Sequence, residues 1–146
     1  MEKYDGNSAY QIVNISRSNS ALSIQAGDET SDVKFSFLPY LMIDEKNKVA
    51  TSILTAQFIK KDDTPLSNEL VVNVGFKFFE SLPLVRDGEN NVKIKKYEDL
   101  LSIFDTAIGV FRGILFEWLK GSSLQQPLPS VDVEEFLKGL RVSFSN

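Results

Sequence analysis

The sequence predicts an α+β fold: a four-stranded antiparallel sheet followed by a long helix and a short C-terminal helix. Three observations carry this. Apolar and polar residues alternate with period two through most of the first eighty positions, in runs separated by polar turns. From 97 to 121 the period changes to 3.6. A polar, proline-punctuated stretch then leads into a second, much shorter apolar helix pattern, VEEFLKGL.

Residues 1–8, MEKYDGNS, read as a flexible start, and 9–146 as one domain. A chain of 146 residues can bury a core without disulfides or metals to staple it. In the first segment Tyr10 and Ile12, then Leu22 and Ile24, flank a polar centre from Ser16 to Ser20, which predicts a strand broken by a bulge or turn. The second strand alternates at Val33, Phe35 and Phe37 until Pro39, whose missing N–H places it at a sheet edge or bend. Asp44 to Lys48 is a hairpin turn into the β-branched third segment. The fourth strand sets Leu70, Val72, Val74, Phe76 and Phe78 on one face and Asn73, Gly75 and Lys77 on the other. Gly75 marks either a bulge or a close backbone approach. Lys60-Lys61-Asp62-Asp63 and the KIKK run before Tyr97 read as solvated charge at a hairpin and a loop.

On the long helix, Leu100, Phe104, Ala107, Phe111, Leu115 and Trp118 form one stripe, flanked by Leu101, Ile103, Ile108, Val110 and Ile114. The remaining polar strip, Ser102, Asp105, Gly109, Arg112 and Gly113, is narrow. A helix apolar over most of its circumference is buried on more than one side, and one sheet covers only one. Gly109 and Gly113 each cost about 1 kcal/mol relative to Ala inside a helix, a cost that close approach of another backbone would offset. Self-association through Phe104, Ile108, Gly109, Arg112 and Gly113 is therefore expected, with Arg112 and Asp105 available as an ion pair. Gly121 ends the helix. Pro127 and Pro129 keep the following loop extended, and Ser130 or Asp132 caps a terminal helix presenting Phe136, Leu137 and Leu140. That helix, three turns long on this reading, is either a lid on the core or one wall of a groove.

The composition removes several functions. Net charge is −4 with scattered basic residues, so the electrostatic footprint of a nucleic-acid binder is missing. Cys and His are both absent, which takes away the thiol nucleophile, the usual structural zinc ligands and the commonest general base. Asp132, Glu134 and Glu135 suit the first turn of a helix through its dipole and need no catalytic role. The expectation is a non-enzyme without metal. No apolar run reaches the roughly 20 residues of a membrane span, and no secretory signal is evident, so a cytoplasmic location without membrane insertion is expected.

The Arg112-Gly113 pair, the Lys120-Gly121 helix end, Leu128-Pro129 before a polar turn, and the terminal helix with Phe136 together resemble the SecB family of export chaperones and its SecB-like relatives. The resemblance follows the whole chain in element order and is specific over roughly its last 35 residues. It implies a homotetramer, a dimer of dimers with the long helices between sheets, acting as an ATP-independent holdase for unfolded polypeptides without any cofactor. The terminal helix and its loop would wall the client groove, and clients would lie against Phe37, Tyr40, Leu41, Leu128, Phe136 and Leu140, partly by adding a strand to the sheet edge. In the export chaperone the translocase motor ATPase docks on an acidic face of the sheet. The outward residues here, Thr55, Gln57, Asn73 and Lys77, are not acidic, and neither is the tail RVSFSN, so a toxin–antitoxin partner is an equal candidate. Two other classes stay open: an adaptor subunit whose apolar patches meet one fixed protein, and a small-ligand enzyme with a closed polar pocket.

Overall fold

Alternation in the first half of the chain becomes a sheet with one wet and one buried face, as the computed structural model shows for residues 9–24, 33–89, 91–124, 128 and 130–145. The strands are β1 (Tyr10–Arg17), β2 (Lys34–Asp44), β3 (Val49–Ile59), β4 (Leu70–Phe78), β5 (Leu84–Arg86), β6 (Val92–Ile94) and β7 (Arg141–Phe144). The helices are α1 (Tyr97–Leu119) and α2 (Val133–Phe136), the latter running into a 3₁₀ turn, Leu137–Gly139. The main sheet has the order β1-β4-β3-β2-β7. Its first four strands pair antiparallel, as the sequence predicts. The fifth, β7, pairs parallel with β2, so the sheet is five-stranded and mixed. Four residues with a single alternation, Val142 and Phe144, are too short a signal to separate from a tail.

The inner face carries Leu41 and Ile43 of β2, Leu54 and Phe58 of β3, and Leu70, Val72, Val74, Phe76 and Phe78 of β4, all buried. The predicted helix stripe, Leu100 through Trp118, is buried with them. Burial of each large side chain contributes about 1.5–3 kcal/mol. Ala50, Ser52 and Ala56 on the same face of β3 are small enough to let α1 approach closely.

Three local features settle open questions. The register between β1 and β4 shifts between Ile12 and Asn14, a bulge at Val13 opposite Gly75. A Cβ on Gly75 would meet Asn14 and Val13 at ordinary contact distance, so the glycine accompanies a bulge and not a steric pinch. The strand thus breaks earlier than the Ser16–Ser20 centre and runs on to Arg17. Pro39 pairs with Leu54 on its β3 side, while β7 begins only at Tyr40. Its missing N–H therefore falls where β2 is an edge. The KIKK run, Lys93 to Lys96, is exposed as expected, but its first half is strand and only Lys95-Lys96 is loop. Val92–Ile94 pairs with Leu84–Arg86 in a separate hairpin, whose three-residue strands carry no readable period.

The turns are held by side chains. Asp44 accepts from the side-chain and backbone N–H groups of Asn47, which holds its carboxyl below the usual range, and Lys48 turns with φ 57°. Asp62 is lowered likewise by the hydroxyl and backbone N–H of Thr64. Helix α1 stops with Gly121 at φ 82°, a conformation that costs glycine little. The terminal helix is shorter than its apolar pattern suggests: one α-turn, capped by Asp132 accepting from the Glu135 N–H, then the 3₁₀ turn. The chain must become extended at Arg141 to enter β7, which limits the helix. Residues 1–8, Pro127 and Pro129 lie outside the described residues.

Candidate polypeptide-binding groove

Period-two placement puts Phe35 and Phe37 of β2 on the inner face, along the stretch of edge that no described strand pairs. A run of rings results. Phe58 lies 5.2 Å from Phe35, Phe35 is 5.9 Å from Phe37, and Phe37 is 4.7 Å from both Phe111 of α1 and Phe136 of α2. Such tilted and stacked pairs contribute about 0.5–1.5 kcal/mol each beyond area burial. Sheet, long helix and terminal helix thus meet at Phe37, which is only half-buried.

Phe136 reaches this position because the preceding loop is tied down. The Arg112 guanidinium donates to the Leu128 carbonyl oxygen, so it holds the loop and makes no pair with Asp105. Leu128 is buried. Tyr40 points to the opposite face, where its hydroxyl donates to Ser143 Oγ at 2.6 Å.

The six residues expected to line a groove are therefore divided. Phe37, Tyr40, Phe136 and Leu140 are half-buried at or beside the β2 edge, whereas Leu41 is fully buried in the core beneath α1 and Leu128 is nearly so. Leu38, next to Pro39 and 59 % exposed, belongs to the same apolar run and is the member that faces outward most, though it is not among the six. Phe35 and Phe111 were legible as core positions, but their part in the ring stack was not. Val142 and Phe144 were read as tail, and their alternation was the available signal.

The residues expected at a subunit interface divide as well. Phe104 and Ile108 are buried in this chain's own core. Gly109 and Gly113 are exposed, and a Cβ on either would meet nothing within 4 Å. Along β1 lies an apolar shelf. Ile12 and Ile15 pair with Phe76 and Val74, so they share the helix-bearing face, yet they remain 43 % and 49 % exposed. The Tyr10 hydroxyl bonds Ser102 Oγ near the start of α1, and Trp118 near its end donates to the Ser20 carbonyl. Helix and edge strand therefore run side by side along that shelf.

Charge near the groove is acidic on one flank. Glu98, Asp105, Asp132 and Glu134, with Leu101, Ser102 and Val133, line an open cleft of about 530 Å³ between α1 and α2. Among the described residues no group of three or more His, Cys, Asp or Glu could hold a metal ion, and no helix is long and apolar enough to cross a membrane.

No protein-family model matches the sequence, and no curated protein matches it. In fold, the chain is similar to the Mycobacterium tuberculosis SecB-like chaperone Rv1957, solved in complex with a ChAD peptide from the Rv1956 HigA1 antitoxin. The TM-score is 0.54 over 85 % of this chain and 91 % of that one, at 7 % identity. The likeness is one of fold: a sheet, a long helix and a short terminal helix in the SecB-like arrangement, here with a fifth, parallel strand.

Proposed function

We propose that this protein is an ATP-independent holdase that binds non-native polypeptide segments in the groove between the β2 edge and α2. The observation that carries the reading is the meeting of a sheet edge, Lys34 to Pro39, that no described strand pairs, with half-buried rings at Phe37 and Phe136. An extended segment there gains main-chain pairing from the edge and apolar burial against Phe37, Leu38, Tyr40, Phe136 and Leu140, at about 25 cal/mol per Å². Leu41 and Leu128 form the floor behind these contacts. Without a nucleotide cycle, release is by dissociation or hand-off, so contacts are individually weak and spread along the chain.

Assembly belongs to the same proposal. The shelf of Ile12 and Ile15 with the exposed glycine strip of α1 suits a second copy of the chain, and a dimer of dimers covers both the helix flank and the β1 edge. The outward sheet face favours a partner of the toxin–antitoxin type over the translocase motor. It presents Thr55, Gln57, Asn73, Lys77 and Arg141 in place of an acidic docking surface. The similar chaperone's peptide complex supports a second reading, an adaptor that holds one fixed polypeptide.

The test is suppression of aggregation of a chemically denatured protein, with and without ATP, by the wild type, Leu38→Ser and Phe136→Ser. The expected result is nucleotide-independent protection by the wild type, lost in both variants while light scattering reports an unchanged assembly. A strict ATP requirement would end the holdase reading. No protection of generic clients, together with tight binding of one antitoxin-like peptide, would establish the adaptor.

A further inference from the structure

Strand β7 occupies the part of the β2 edge that lies next to the open groove. It is four residues long, it makes the one parallel pairing among the described strands, and it stands at the end of the described chain. Its register sets Val142 beside Leu41 and Phe144 beside Ile43 on the inner face, and Ser143 beside Met42 on the outer. Beyond the ladder, Val142 and Phe144 pack half-buried against the core, and the described fastenings are the Tyr40 hydroxyl to Ser143 Oγ, the Ser145 N–H and hydroxyl to the Ile43 carbonyl at 2.8 and 3.4 Å, and the Arg86 guanidinium 4.8 Å above the Phe144 ring. Upstream, α2 buries none of its residues and the 3₁₀ turn buries only Leu137.

From Phe136 the segment reads Phe-x-x-x-Leu-x-Val-x-Phe. A ring lies in the groove, and an extended stretch with alternate apolar side chains lies on the edge. That is the chemistry an unfolded client would bring to the same surface. We propose that Arg141–Phe144 is the resident occupant of a strand-exchange site. The edge from Tyr40 to Ile43 takes an extended peptide with apolar residues at alternate positions, aliphatic then aromatic, and a small polar residue between them. The client enters by displacing β7. This rests on the holdase reading and names its ligand pattern and its means of release.

The physics of the exchange is asymmetric in a useful way. A four-residue parallel strand at a sheet edge is among the first elements to open, because parallel pairing is slightly weaker per residue and only one neighbouring strand holds it. Tethered to the same chain, it returns at high effective concentration and competes with the bound client, which supplies release without ATP. Between clients it covers an edge that would otherwise pair with another chain.

The chain contains no cysteine, so Met42→Cys with Ser143→Cys can place a single disulfide across one register pair, at a spacing that neighbouring strands satisfy. Two probes are used: reduced, carboxymethylated α-lactalbumin as a permanently unfolded client, and a fluorescein-labelled peptide of residues 140–145. The oxidised variant should bind both at least about ten-fold more weakly than after dithiothreitol. A chain ending at Leu140 should bind the peptide about ten-fold more tightly than wild type, as follows if β7 is docked about nine-tenths of the time. Equal binding by the oxidised and reduced forms overturns the exchange, and because both are one protein the comparison stands even if the shortened chain misfolds. Peptide binding that responds to the lock, with no binding of the unfolded protein by any form, would leave exchange in place and remove the holdase reading instead.

Discussion

Along β2 the sheet ends in Pro39, which cannot donate to a further strand, and in the chain's own β7. Along β1 it ends in eight residues that no further described strand pairs, with the half-exposed Ile12 and Ile15. Proteins normally blunt such edges with short strands, prolines or charge. The β2 edge has two of these devices, and a helix-borne ring over it. Among the described residues the β1 edge has the bulge at Val13, and on α1 a Cβ at Gly109 or Gly113 would meet none of them within 4 Å. On the proposed function the difference separates two kinds of binding by strength: the half-exposed apolar edge serves a lasting contact with an identical copy, and the edge that β7 closes serves guests that come and go.

The largest effect should fall on neither edge. Phe104→Ala removes a fully buried ring from beneath the helix and should cost about 3–5 kcal/mol. Because Phe104 belongs to the subunit's own core, urea unfolding should shift equally at low and high chain concentration. A loss seen only in the assembled state would move Phe104 to an interface.

Ile12→Lys with Ile15→Lys addresses the β1 edge. Each side chain is about half exposed, so the fold should lose no more than about 1 kcal/mol, while light scattering reports a smaller assembly than the proposed tetramer. Client binding per chain at the β2 edge should persist. An unchanged assembly would mean that the shelf is not where copies meet, and joint loss of assembly and client binding would erase the distinction between the edges.

Gly109→Ala gives the smallest effect and the most informative sign. Nothing among the described residues opposes the added Cβ, and the gain in helix propensity should stabilise an isolated subunit by about 0.8–1 kcal/mol. Where a partner backbone lies against the helix, the same methyl should weaken assembly. Stabilisation of subunit and assembly together, measured by thermal unfolding at two concentrations, would remove the glycine strip from the interface.

The sequence by itself determined most of the architecture, because the buried faces of β2, β3, β4 and α1 are written as periods of 2 and 3.6, and each is long enough for the pattern to be unambiguous. It also determined the turns at Asp44 and Gly121, whose residues act on their own backbone. What it left undecided depends on neighbours. Val142 and Phe144 become a strand only because β2 offers an unpaired edge beyond Pro39, and Val92–Ile94 only because Leu84–Arg86 lies opposite. Leu41 and Tyr40 are adjacent and both apolar enough for a groove, yet the pleat sends one into the core and the other to the outer face. Phe104 and Gly109 sit on one helix and looked alike as interface candidates. Only the direction from which the sheet approaches α1 decided that the ring is core and the glycine is surface.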